Sequence, residues 1–222
     1  MHHVYLSPSQ QEHNLGVGAY GTEAARCRAI CKMAAELLRD VPGLTVRVAP
    51  DYTRLDEPSD YLSAVRDSNA FGADVHVAVH TNAAGAGADG TDTFYLAGSS
   101  RGKLLAAAIQ RRVAPVSPGS DGGIHAQSGW AELTGTKAVA CLVELAFHTN
   151  KADATSIITQ PGLYAAALAD GVCDYLGIKR TATAKSKLPA DVRKAKNAFT
   201  KLPRQWREWF VKHAPKWRAS RA

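Results

Sequence analysis

Missing from this 222-residue chain are a long apolar run, a cysteine framework and a glycine fingerprint. Its apolar runs fall well short of the roughly 18 residues that a membrane span needs. The start, MHHVYLSPSQ, lacks the apolar stretch of a signal peptide, so the expectation is a chain made and folded in a cytoplasm. There are only four cysteines. Cys27 and Cys31 lie one helical turn apart, Cys141 sits in an apolar run and Cys173 is alone, a pattern that predicts reduced thiols, with core packing for the first three. No phosphate-loop or dinucleotide glycine pattern occurs, and no short zinc-ligand spacing such as HExxH. Internal repeats are absent. What is present is apolar bulk: 45% of residues are hydrophobic, which excludes disorder over most of the length.

Acidic residues are scarce at one end. Residues 179–222 hold fourteen Lys and Arg against two acids, whereas residues 1–178 hold thirteen against eighteen. The net charge of +7 is therefore a basic tail on an acidic body. The composition shifts at Gly177-Ile178-Lys179, which predicts a body over 1–178. A Thr/Ala/Lys/Ser-rich stretch predicts a linker over 179–188, and a basic segment fills 189–222.

Within the body, short apolar runs alternate with helical patterns. Strands are predicted at His3 to Leu6, Leu44 to Ala49, Val75 to His80, Thr91 to Leu96 and Val139 to Leu145. Helices are predicted from Glu23 to Arg39, where Cys27, Ile30, Cys31, Ala34 and Leu38 share a face, from a Ser59 cap to Phe71, from Ser100 to Val113, and from Leu163 to Leu176. The alternation implies an α/β fold, with a twisted, mostly parallel sheet flanked by helices on both faces. In such sheets, sites gather at the carboxyl ends of the strands.

Reactive groups stand at those ends. The first strand runs into SPSQQEHN, which offers His13; VHVAVH ends at His80; VACLVEL carries Glu144 inside an apolar run. A buried carboxylate needs a partner or a task. Glu23, at the start of the first helix, is a fourth candidate. Two histidines and a carboxylate with one open position form a common catalytic zinc set, and a further carboxylate can act as base. Each residue also has a plainer reading. His80 can be a structural histidine, Glu144 can pair with a buried arginine such as Arg66, Glu23 can favour the helix dipole, and His13 can be solvated.

The chain resembles the zinc-dependent N-acetylmuramoyl-L-alanine amidases of the amidase-3 type. The resemblance rests on LSPSQQEHNLGVGAYGTEA, YTRL, RDSNAFGADVHVAVHTNA, GTDTFYL and SDGGIHAQSGWAELTGTKAVACLVELAFHTN, in order across residues 4–177. The pairing of VHTNA with a later VELAFHTN is its most specific element, and the SPSxQ opening and YGTE step look most like a phage endolysin subgroup. The resemblance implies that 1–178 is a catalytic domain hydrolysing the amide between N-acetylmuramic acid and L-alanine of peptidoglycan. It implies one zinc ion on His13, Glu23 and His80, with Glu144 as the catalytic carboxylate. Where the family has a GHGG-like turn this chain has SPSQQEHN, and strict alignment places Gln10 or Gln11 near the first histidine. Asn82, His125 and His148 are candidates for substrate contact or for support of the ligands.

In the tail, Val192, Ala195, Phe199 and Leu202 have helical spacing, and Trp206, Trp209, Phe210 and His213 fall on one later face, with Trp217 beyond. This predicts a small basic helical segment suited to an anionic wall polymer or a membrane surface. Nucleic acid is an unlikely partner, because no recognised module is present and the body is acidic. The whole is consistent with a lysin that waits in a host cytoplasm and reaches the wall after release. The competing reading is a non-catalytic wall-binding protein on an amidase-like fold.

Overall fold

The computed structural model describes residues 1–85 and 87–180. The predicted tail, with Trp206, Trp209 and Trp217, and all but the first two residues of the predicted linker lie outside the described residues.

Six strands form one sheet: β1 (His2–Pro8), β2 (Leu44–Val48), β3 (Val75–Asn82), β4 (Thr91–Leu96), β5 (Asp121–Gln127) and β6 (Val139–Phe147). Their order is β2-β1-β3-β6-β4-β5. Every neighbouring pair is parallel except β4 with β6, so β4 and β5 run against the other four strands. The carboxyl ends of β1, β3 and β6 thus share an edge with the amino ends of β4 and β5.

Six helices complete the body: α1 (Glu23–Arg39), α2 (Ser59–Phe71), α3 (Ser100–Val113), α4 (Ala131–Thr134), α5 (Lys151–Thr159) and α6 (Pro161–Leu176). Strand alternation decides which layer each side chain joins. Val75, Val77 and Val79 of β3 and Cys141, Val143 and Leu145 of β6 enter the main core with Ile30 and Leu38 of α1, Ile109 of α3 and Leu168 of α6. The residues between them face the other way, where Ala78, Ala140 and Leu142 pack with Leu133 of α4, and Tyr5 packs with Ala64 of α2. Helices therefore cover both faces. Each fully buried Leu or Ile contributes about 1.5–3 kcal/mol by its removal from water. All four cysteines are free and buried in this core. Among the described residues no helix is long and apolar enough to cross a membrane.

Two ends are set by local chemistry. Thr22 caps α1, its side chain accepting from the Ala25 amide at 3.2 Å. Ser59 does not cap α2 as its hydroxyl suggests; the helix begins at Ser59 itself, behind Pro58, with no side-chain cap. Three elements escaped the pattern reading. β5 (DGGIHAQ) is an edge strand with two glycines and little apolar content, α4 has four residues, and α5 (KADATSIIT) shows only a weak apolar face.

Candidate active site

The site is a row of polar side chains across the sheet. In the β3–β6 register His80 stands opposite Glu144, and in the β6–β4 register Glu144 stands opposite Asp92. These three residues occupy one face of adjacent strands, at the edge where β3 and β6 end and β4 begins. Glu23 arrives from outside the sheet, as the first residue of α1. An acid there is favoured by the helix dipole, and Glu23 is nonetheless buried.

His80 is held from both sides. Its Nδ1 lies 3.0 Å from Glu23 Oε1 and its Nε2 lies 3.4 Å from Glu132 Oε2. Glu23 also accepts from the Asn14 side-chain amide at 2.8 Å and from the Thr81 backbone at 3.3 Å. Burial works against the charge on His80, but the two carboxylates outweigh it and push its pKa well above the ordinary value. Burial raises Glu23 in the same way, and the His80 and Asn14 contacts outweigh it, holding that carboxyl below its usual range. Glu132 is buried too, yet His76 and His80 pull it down to about 2.

Glu144 behaves differently. Its Oε2 is buried with no hydrogen-bond partner among the described residues. Burial pushes its pKa up to about 7, with the charges of Glu23 and Asp92 adding to the effect and His80 opposing it. A carboxyl poised near neutrality suits proton transfer in both directions. The pairing with Arg66 does not occur; Arg66 donates to Ser63 within α2 at 2.8 Å.

The structure brings Glu23, His80 and Glu144 together and leaves His13 apart. His13 sits exposed on the loop after β1. The loop reaches Glu23 through the next residue, Asn14, whose amide bridges Gln11 and Glu23. Gln10 is buried and turned elsewhere, its oxygen accepting from Arg28 at 2.8 Å and the Tyr52 amide at 3.0 Å. Asn82 turns back on its own strand end, accepting from the Ala83 amide at 2.8 Å. His148 is buried between Tyr20 and Thr81, with Nδ1 3.0 Å from the Thr81 hydroxyl, so it braces the segment that donates to Glu23 and is closed to a substrate. His125 is exposed, with Nε2 2.9 Å from Asp92 Oδ1. Its ring lies 5.2 Å from Phe94, which lies 4.7 Å from Trp130, so an aromatic cluster continues the row beyond Asp92.

Glu132 and Asp92 are the site residues that sequence reasoning missed. Asp92 alternates inside an ordinary strand pattern, and its partner in register becomes visible only when β4 is known to pair with β6. Glu132 belongs to the four-residue α4, which gives no periodic signal; an acid between Ala131 and Leu133 was the available hint.

The donor set can be tested against a metal ion. Glu23 Oε1 and His80 Nδ1 converge 3.0 Å apart, and ligands of one tetrahedral zinc stand roughly 3.4 Å apart. Among the described residues no group of three or more His, Cys, Asp or Glu is disposed to hold a metal, because the loop contributes the amides of Asn14 and Gln11 where a third such donor would stand. The orphaned Glu144 oxygen, facing two further carboxylates, is the need a cation would meet. Carboxylate and imidazole are the donor types zinc takes in hydrolytic sites. Glu23 and His80 thus offer two donors of the kinds zinc takes, and the described residues add no third His, Cys, Asp or Glu to complete a zinc set.

Comparison with known proteins bears on the same region. A family model described as N-acetylmuramoyl-L-alanine amidase matches residues 4–174. The fold is similar to the catalytic domain of CwlV, an N-acetylmuramoyl-L-alanine amidase from Bacillus (Paenibacillus) polymyxa var. colistinus, with a TM-score of 0.72 and 22% identity over 81% of this chain and 100% of that one. An N-acetylmuramoyl-L-alanine amidase from Clostridium difficile 630 gives 0.70 and 23% over 80% and 98%. The catalytic domain of an endolysin targeting Clostridia difficile gives 0.64 and 19% over 78% and 98%. No curated protein sequence matches.

Proposed function

The chain belongs to the N-acetylmuramoyl-L-alanine amidase family, and from that premise we propose that it hydrolyses the amide between N-acetylmuramic acid and L-alanine in peptidoglycan, with one zinc ion held by Glu23 and His80. The observation that carries the reading is Glu144: a half-buried residue whose Oε2 is sealed from solvent with no partner among the described residues, with a pKa of about 7, one strand from His80. Zinc, when bound, supplies Lewis acidity, lowering the pKa of water and polarising a carbonyl.

The protein's own groups do the rest. Glu144 takes a proton at Oε2 from the attacking water and delivers it to the leaving amine nitrogen, which becomes the α-amine of the released peptide. Its neighbours in sequence, Val143 and Leu145, are buried in the main core on the opposite face of β6 and anchor the strand that carries it. Glu23 and Glu132 fix the ring of His80 from opposite sides. His125, Phe94 and Trp130 stand beside Asp92 on the β4–β5 side, and we assign this cluster to contact with the substrate. The basic tail, through Trp206, Trp209 and Trp217, is assigned to an anionic wall polymer or membrane surface on its composition alone. The SPSQQ opening and YGTE step support an endolysin role, with release of the chain to the wall at lysis.

The test is mass spectrometry of purified peptidoglycan after incubation with the protein, with and without a chelator. Free stem peptides beginning in L-alanine, lost on chelation and restored by zinc, are the expected result. Intact sugar–peptide linkages in every sample overturn the reading in favour of a wall-binding protein.

A further inference from the structure

Part of the sheet face that carries Glu144 is left open. Leu133 of α4 packs on Ala78, Ala140 and Leu142 and so covers that face over β3 and β6. Further across, over β4 and β5, Phe94 and Trp130 are only half-buried and His125 is exposed. Strand register fixes how near this surface lies to the reacting groups. Asp92 stands opposite Glu144 and Phe94 opposite Leu142, so Phe94 lies two residues from the Glu144 level, about 7 Å along the strand.

A backbone device builds the surface. In the β4–β5 pair Thr91 meets Asp121 but Asp92 meets Gly123, so Gly122 is an extra residue on β5. Gly123, at φ 90°, takes a conformation that suits glycine, and a Cβ at Gly122 would collide with Asp92 Oδ1. A slip of one residue exchanges the two faces of a strand. In unbroken register Ile124 would meet Phe94, and His125 would join Tyr95 against the main core. With the bulge, Ile124 packs on the main core and His125 comes beside Phe94, 5.2 Å between ring centroids. There its Nε2 lies 2.9 Å from Asp92 Oδ1, and Trp130 closes the far side of Phe94 at 4.7 Å. The outcome is an aromatic shelf with one polar pair at its edge.

The two halves of the substrate differ in what they offer such a shelf. The stem peptide carries free carboxylates, and no Lys or Arg stands among Asp92, Phe94, His125 and Trp130 to receive them. The sugar half is uncharged, because the carboxyl of N-acetylmuramic acid is tied up in the scissile amide. A pyranose presents C–H faces to aromatic rings and hydroxyls to a polar edge.

We infer that Phe94, His125 and Trp130 form the subsite for the sugar ring of N-acetylmuramic acid, with the Asp92–His125 pair at its hydroxyls. The glycan then lies over β4 and β5, and the peptide leaves toward the loop after β1. This rests on the amidase reading above and adds a substrate orientation to it, without any step of the chemistry.

The experiment uses the full chain and two compounds that share the scissile amide: N-acetylmuramoyl-L-alanyl-D-isoglutamine, and D-lactoyl-L-alanyl-D-isoglutamine, which lacks the sugar ring. The wild type should prefer the first in kcat/KM, and that preference should shrink roughly 3–10-fold in Trp130→Ala, the worth of one aromatic stack. Separately, the ¹⁵N-labelled wild type is titrated with the primary amide of N-acetylmuramic acid, and the amides of β4 and β5 and the Trp130 indole should shift. An active variant that keeps the wild-type preference overturns the inference. So do shifts confined to the loop after β1, or none at millimolar ligand. These outcomes leave the amidase reading standing if the wild type cleaves either compound. A wild type that cleaves neither overturns that reading, whereas shifts at β4 and β5 would still establish the sugar surface. The titration needs no substitution, so a variant that fails to fold does not shelter the inference.

Discussion

Replacing Glu144 with Gln should make the metal-free protein more stable at alkaline pH while abolishing amidase activity. The argument starts from the carboxyl's pKa, raised from an ordinary 4.5 to about 7 by burial. An acid that is weaker in the folded state binds its proton more tightly there than in the unfolded chain. Below 4.5 both states are protonated and the group contributes no penalty. As pH rises from 4.5 to about 7 the unfolded state ionises first, stability is lost, and above 7 the loss is constant. At about 1.4 kcal/mol per pH unit the full loss is about 3 kcal/mol, a large share of the 5–15 kcal/mol typical of a folded domain. Glutamine keeps the shape and cannot ionise, so the variant escapes that loss. Urea unfolding of both proteins in chelator at pH 4.5 and pH 8 reads the effect as a difference, in which the titrations of Glu23 and Glu132 largely cancel and that of His80 changes only by the loss of its interaction with Glu144. The variant should gain about 3 kcal/mol on the wild type between the two pH values. Parallel stability curves, or a variant that loses ground at pH 8, would show that Glu144 is not a strained, unpaired carboxylate and would remove the physical basis for its role as base.

Other substitutions separate parts of the argument. His13→Ala should change zinc affinity and kcat/KM by less than about twofold, as expected for an exposed position; a tenfold loss in either would place His13 on the metal through a rearranged loop. In zinc-loaded protein the acid limb of kcat/KM should lie below 7, because a nearby cation favours the Glu144 carboxylate; a limb well above 7 would contradict this. Asp153, fully buried, accepts from the amides of Gly90 at 2.7 Å and Phe147 at 2.9 Å and from the Ser117 hydroxyl at 3.1 Å. Asp153→Ala strands these donors and should cost about 3 kcal/mol or more in urea unfolding, and a cost under about 1 kcal/mol would mean that water or a shifted loop replaces them.

Most of the sheet and the larger helices were legible because their periodicities are strong. VHVAVH alternates so cleanly that Val75, Val77 and Val79 on one side, and His76 and His80 on the other, could be placed before any fold was known. Glu144 announced itself by standing charged in an apolar run. The reversal of β4 and β5 was not legible, since strand direction leaves no trace in alternation, and with it went Asp92. Glu132 was hidden by the shortness of α4. The loop after β1 misled for a different reason: a histidine in the right segment points outward, and a one-residue difference in a turn decides which side chain meets Glu23. Sequence names the residues a loop contains and leaves open which of them it turns inward.

The four buried thiols carry a consequence for handling the protein. Burial pushes each of their pKa values up, so the reactive thiolate is disfavoured at every native cysteine. Among the described residues there is no disulfide for a reductant to break and no exposed thiol for an alkylating dye to reach. The body's thiol chemistry is therefore insensitive to whether the medium is reducing or oxidising. A single cysteine placed on its surface would stand as the one fast-reacting thiol, and a probe attached there would report on the protein without any native cysteine having to be removed.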